Sequence, residues 1–190
     1  NGSKLYVTNG PVADVIVVYA TVDRSKGSAG VTGFLVEKSF PGFSVSKQME
    51  KMGLRTSPMA ELALQDCEVP AENLLGREGL GFKIAMKTLD GGRIGIAAQA
   101  IGIARAAFEK ARDYSKERKA FGSLLCDKQA VAFVLADMAT EIDAARAMVW
   151  RAAWLKDQGR DYALAAAEAK LFASEVANRA TNNGVQGHGG

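Results

Sequence analysis

Four short stretches hold the residues whose types could do chemistry. Arg118 stands where a long helical pattern ends, in Arg118-Lys119-Ala120-Phe121-Gly122, and Gln129 follows on the next element. A guanidinium suits the negative end of a helix dipole. Its planar fork can also make paired charge-assisted hydrogen bonds to an oxyanion. Asp90-Gly91-Gly92-Arg93 forms a corner in which Asp90 is a candidate N-cap, with Arg93 pairing to it or to solvent. Tyr6-Val7-Thr8 sets an aromatic and a hydroxyl on one predicted strand. Gln186, Gly189 and Gly190 close the sequence, and glycines there let backbone N–H groups approach a ligand closely.

Other chemistries are poorly served. The two cysteines, Cys67 and Cys126, lie far apart, and His188 is the single histidine. A disulfide framework is excluded by count, and no metal-ligand spacing surrounds these residues. Two reduced thiols and an incidental loop histidine are the expectation. The net charge of +3 over 190 residues gives no reason to invoke nucleic acid. No apolar run approaches the length that spans a bilayer.

The elements that must position these residues change type near residue 75. Before it the chain is rich in short β-type runs. Asp14–Thr21 is β-branched, Gly30–Lys38 follows, Phe43, Val45 and Lys47 alternate with polar residues, and Leu62, Leu64 and Cys67 mark a last strand. This spacing predicts a small antiparallel barrel or sandwich. After Gly76 the period becomes helical, with a short helix over Gly79–Leu89 and long ones over 92–119, 127–157 and 162–182. Short connections predict an antiparallel bundle. The fold class is therefore α+β, with a β-domain over 1–75 and a helical domain over 76–190. At 48% hydrophobic residues the chain can bury a sizeable core.

Several segments in order resemble the acyl-CoA dehydrogenase family, most closely its short-chain branch. They are Lys4-Leu-Tyr-Val-Thr-Asn-Gly10, Gly53-Leu-Arg-Thr-Ser-Pro-Met-Ala-Glu61, Asp66-Cys-Glu-Val-Pro70, Leu89-Asp-Gly-Gly-Arg93, Arg118-Lys-Ala-Phe-Gly122 and Gln186-Gly-His-Gly-Gly190. The resemblance covers essentially the whole chain. It implies a middle β-domain, begun partway in, and a C-terminal helical domain that stops before its last helix. It implies FAD as cofactor. Thr8 matches the threonine that contacts the flavin near N5, with Val7 beside it, and Tyr6 takes the place of the usual tryptophan over the flavin face. Arg118, Phe121 and Gln129 match residues that reach the FAD of the neighbouring subunit. Gln186, Gly189 and Gly190 match the loop around its adenine side. Asp90, Gly91, Gly92 and Arg93 match the lining of the acyl-CoA site.

The reaction implied is removal of the α-proton of a short-chain acyl-CoA thioester and transfer of the β-hydrogen as hydride to the flavin. A trans-2-enoyl-CoA results, and electrons pass to an electron-transfer flavoprotein. The site must stabilise a developing enolate and supply a carboxylate base with a raised pKa in a dry pocket. In one part of the family that base is a glutamate at the position of Gly92. In the short-chain branch it lies in a later loop, which would fall beyond Gly190. No catalytic residue is therefore assigned within 1–190, and this stretch alone is expected to be inactive. The resemblance also implies a homodimer or homotetramer built through the helices. It implies a bacterial cytoplasmic location or a mitochondrial matrix one. Two other readings compete: a non-catalytic oligomerisation module, and a DNA-binding member of the same fold. Against the second, bases and acids alternate in Arg112-Asp-Tyr-Ser-Lys-Glu-Arg118, as on a solvated helix face.

Overall fold

The structure, a computed structural model, describes residues 1–189 and divides into two compact units, Asn1–Met86 and the residues from Lys87 onward. The first unit holds six strands: β1 (Gly2–Thr8), β2 (Val15–Thr21), β3 (Val31–Glu37), β4 (Phe43–Met49), β5 (Met59–Leu64) and the short β6 (Leu74–Leu75). They form two three-stranded antiparallel sheets, ordered β1-β5-β4 and β2-β3-β6. There is no closed barrel among the described residues, so the sandwich-like half of the expectation stands. The run Val15-Ile-Val-Val18 favours β2 because branched side chains fit a pleated surface. Lys4 ties the sheets by donating from Nζ to the Tyr19 carbonyl at 2.7 Å. Val18, Val36, Ala60 and Leu62 form the buried interior. The last predicted strand ends at Leu64, so Cys67 lies in the loop beyond it.

A single helix, α1 (Gly81–Glu117), leads out of this unit. Its first residue sits against β3: a Cβ on Gly81 would fall 2.6 Å from the Thr32 carbonyl carbon and 2.7 Å from the Gly33 nitrogen. Only glycine admits that approach. The expected break at Asp90-Gly91-Gly92 does not occur, and one 37-residue helix replaces two. Each mid-helix glycine costs about 1 kcal/mol relative to alanine. Packing of the turns that follow, at Ala97, Ile101 and Ala104, carries the helix through.

The second unit is completed by α2 (Gln129–Asp157) and α3 (Ala163–Gly187). Lateral contacts fix the directions. Glu141 pairs with Arg179 at 3.1 Å and Arg151 with Glu168 at 3.6 Å, so α2 and α3 run antiparallel. Gly91 lies beside Lys156 and Tyr162, and Gly184 beside Ala107, so α1 runs against α2 and with α3. The core between them is mostly alanine (Ala97, Ala104, Ala145, Ala152, Ala166, Ala169, Ala173), with Met138, Ile142 and Val176 filling the wider layers. Small side chains let the helix axes approach closely. Gly159, at φ 64°, ends α2: its N–H donates to the Lys156 carbonyl, and that of Arg160 to Leu155.

Candidate functional site

Between α1 and α2 the chain makes a small hairpin that the sequence pattern did not announce. Strands β7 (Lys119–Ala120) and β8 (Ser123–Leu124) pair Lys119 with Leu124 and Ala120 with Ser123. The two-residue tip is Phe121-Gly122, at φ 53° and 83°. Both residues are in the left-handed region, as a type I′ turn requires. Glycine accepts this freely, whereas a phenylalanine held there stores roughly 1–2 kcal/mol of strain. Nor does the ring repay it by burial, being 97% exposed. The hairpin hangs on Arg118, whose N–H donates to the Tyr114 carbonyl and whose carbonyl accepts from Leu125 N–H, both at 2.9 Å. The Arg118 side chain is exposed and has no ion-pair partner among the described residues.

Gln129 is the first residue of α2 and is exposed. Gln186 lies in the last turn of α3, not in a loop, and borders a cavity of about 240 Å³ with Ser115, Ala130, Val134 and Met138. Gly189, at φ 89°, follows the helix end and donates to the Gln186 carbonyl at 3.0 Å. Gly190 lies outside the described residues. The end of α1, the start of α2 and the end of α3 thus bring Arg118, Phe121, Gln129, Gln186 and Gly189 to one end of the helical unit. His188 there is not incidental. Its Nδ1 lies 2.8 Å from the Gly184 carbonyl, and its ring stacks on Tyr114 with centroids 4.4 Å apart.

Asp90, Gly91, Gly92 and Arg93 lie at the opposite end of the same unit. Asp90 sits inside α1, so it is no N-cap. Its carboxylate pairs with Arg93 one turn on, the partner expected for it. Gly91 faces the Lys156 ammonium and the Tyr162 hydroxyl, and that ammonium lies 5.9 Å from the centroid of the Tyr162 ring. The sequence pattern pointed to neither Lys156 nor Tyr162, because only the fold brings them to Gly91. Along α1, Arg93 and Arg118 are separated by about 37 Å of helical rise.

Tyr6, Val7 and Thr8 lie in the first unit. The pairing of β1 with β5 slips between Lys4 and Val7, and Tyr6 occupies that bulge at φ 57°, 70% exposed. A bulge re-aims the side chains around it. Thr8 is back in register opposite Met59, with its side chain exposed, and Val7 is half-buried.

The described carboxylates with displaced pKa values are both displaced the wrong way for a base. A hydrogen bond from Arg112 holds Asp113 below the usual range, and one from Ser25 does so for Asp23. Asp90 carries a cation partner. Among the described residues no group of three or more histidines, cysteines or acids could hold a metal ion, and no helix is long and apolar enough to cross a membrane. The donor set around the hairpin instead fits a dinucleotide cofactor: an unpaired guanidinium for a pyrophosphate, an exposed ring for a planar base, and a glutamine and a left-handed glycine for polar edges.

Comparison with known proteins follows the same lines. Residues 1–67 match the acyl-CoA dehydrogenase middle domain, and residues 79–190 match the acyl-CoA dehydrogenase C-terminal domain. The short-chain specific acyl-CoA dehydrogenase of Megasphaera elsdenii is 54% identical over all of this chain and 50% of its own length. The solved butyryl-CoA dehydrogenase of Megasphaera elsdenii superposes with a TM-score of 0.97 at 54% identity, over 100% of this chain and 50% of that one. A chain solved in work on the electron transferring flavoprotein of Acidaminococcus fermentans gives a TM-score of 0.97 at 56% identity, with the same coverage. The chain spans about half the length of the curated relatives it matches.

Proposed function

Since the chain belongs to the acyl-CoA dehydrogenase family, we propose that it is the middle and C-terminal part of an enzyme that oxidises a short-chain acyl-CoA to the trans-2-enoyl-CoA. Electrons then pass to an electron-transfer flavoprotein. FAD, when bound, accepts the electron pair that leaves the β-carbon. The observation that carries the proposal is the clustering of Arg118, Phe121, Gln129, Gln186 and Gly189 at one end of the helical unit, with Asp90–Arg93 at the other.

Each group then has a role. Arg118 and Gln129 hold the pyrophosphate, with Phe121 presenting its ring beside them. Gln186, Gly189 and Gly190 close around the adenine side. Tyr6, Val7 and Thr8 cover and polarise the flavin ring from the β-domain, which we place over 1–75, with the helical domain over 76–190. Asp90, Gly91, Gly92 and Arg93 line the acyl-CoA channel, where the Asp90–Arg93 pair keeps the helix face neutral. The base is supplied from outside 1–190.

The separation along α1 supports a homodimer or homotetramer. The cofactor cluster and the acyl-CoA lining lie about 37 Å apart along the helix, so each is completed most simply by a second copy. The exposed Phe133, Trp150, Trp154, Leu164 and Leu171 on α2 and α3 support the same reading, because a lone soluble chain rarely leaves so much apolar surface in water. The location we favour is the bacterial cytoplasm, with a mitochondrial matrix as the alternative.

The test is to purify the full-length polypeptide and record its visible spectrum before and after adding butyryl-CoA. A bound-flavin band that bleaches on addition is expected, while residues 1–190 alone should show no turnover. A full-length protein without flavin would overturn the proposal in favour of an interaction module. Salt-sensitive duplex binding would point instead to a DNA-binding member of the fold.

A further inference from the structure

The hairpin tip is braced by a residue that has so far had no part in the site. Lys128 immediately precedes α2. Its ammonium lies 5.6 Å from the centroid of the Phe121 ring and donates to Ser123 Oγ at 3.2 Å. Ser123 is the residue after the strained Phe121-Gly122 tip, so one side chain touches both the ring and its hinge. Lys128 has no carboxylate partner among the described residues, and the neighbouring Asp127 spends its side chain on the Leu124 N–H. Nothing in helix stability explains a lysine here. It makes no side-chain cap, and a cation is disfavoured at a helix start. What it does is sit against an exposed ring and hold a further positive charge beside the hairpin that carries Arg118 and Lys119.

We infer that Lys128 is a positioning residue for the dinucleotide cofactor: it holds the Phe121 ring in place and adds a cation to the Arg118 side of the pyrophosphate. This rests on the reading that Arg118, Phe121 and Gln129 hold FAD. An ammonium over an aromatic face is stabilised by the ring quadrupole. The same ammonium near phosphate oxygens makes a charge-assisted contact that salt weakens. Lys128 would therefore act on the phosphate–adenosine half of the cofactor and leave the flavin half unaffected.

The experiment uses the full-length apoprotein and three variants, Lys128→Met, Lys128→Arg and Arg118→Ala. Methionine keeps an apolar stem over the ring and removes the charge. Dissociation constants for FAD and for FMN are measured by flavin fluorescence at low and high salt, and melting temperatures are measured without cofactor. For Lys128→Met the expected result is FAD binding weakened about tenfold, as for loss of one charged contact, with a shallower salt dependence. FMN binding and the apo melting temperature should be unchanged. Lys128→Arg should restore FAD affinity to within about threefold, because a guanidinium serves both contacts. Unchanged FAD affinity in Lys128→Met would overturn the inference, as would equal losses for FAD and FMN, a lowered apo melting temperature or no rescue by arginine. If Arg118→Ala also binds FAD as tightly as the parent, the cofactor site itself is misplaced, which is a different failure.

Discussion

The two ends of the helical unit hold their polar residues in opposite ways. At the Asp90–Arg93 end the candidate site charges are answered within the chain: Asp90 pairs with Arg93, and Lys156 lies over Tyr162 beside Gly91. The backbone there is ordinary α-helix. At the Arg118–Gln129 end a guanidinium is unpaired, a phenylalanine is both strained and exposed, and a lysine sits where a helix disfavours it. The first end is finished by folding, whereas the second stays costly until something binds. Substitutions at the first should therefore register in stability, and those at the second in ligand affinity.

The largest expected effect tests that division directly. Arg118→Ala removes a guanidinium that makes no ion pair among the described residues but would make two charge-assisted hydrogen bonds to a pyrophosphate. Hydrogen bonds to charged groups contribute about 1.5–3 kcal/mol, so FAD affinity should fall about 10- to 100-fold. The apo melting temperature should stay within about 1 °C, as for surface substitutions generally. Fluorescence titration and calorimetry of the same sample measure both. A large loss of apo stability would mean that the hairpin end is as self-satisfied as the other.

A pair of glycine exchanges sharpens the contrast. At Gly92 an added Cβ meets nothing within 4 Å, and the residue is helical. Gly92→Ala should stabilise the fold by about 0.5–1 kcal/mol through reduced unfolded-state entropy. Phe121→Gly should also stabilise, by roughly 0.5–1 kcal/mol, because about 1–2 kcal/mol of left-handed strain is released against glycine's entropic cost. The two should part on cofactor: Phe121→Gly loses FAD affinity, and Gly92→Ala keeps it. Denaturant melts with and without FAD would show the divergence. Equal behaviour would remove the argument that strain at Phe121 serves binding.

How far this was legible in the sequence follows from what each feature leaves in the pattern. The β-to-α change and the three long helices write themselves as periodicity, and the order of family segments placed the site residues along them. The break expected at Asp90-Gly91-Gly92 was wrong because two glycines signal a corner locally, while the alanine packing that overrides them lies a turn or more away. Left-handed Tyr6 was invisible because strain at one residue has no period. Phe121 had a partial signal, since a residue followed by glycine between short strands is the pattern of a type I′ hairpin. The nearness of Lys156 to Gly91, and of His188 to Tyr114, belongs to tertiary packing alone.

The smallest effect concerns a charge pair near the hairpin end that folding does satisfy. Arg112 donates to Asp113 at 2.8 Å, and this hydrogen bond lowers the Asp113 pKa from its ordinary 3.8. A carboxylate with a depressed folded-state pKa contributes stability above its unfolded value, and loses it as pH falls through the folded one. The contribution is therefore fully present at pH 7 and disappears below pH 3.8. Asp113 is exposed, so solvent and salt screen the pair heavily. Asp113→Asn should lower the melting temperature slightly at neutral pH and leave it unchanged in acid, where the parent has lost the same interaction. A difference that persists at low pH would show Asp113 acting through packing, and would make this end less electrostatically open than the unpaired Arg118 implies.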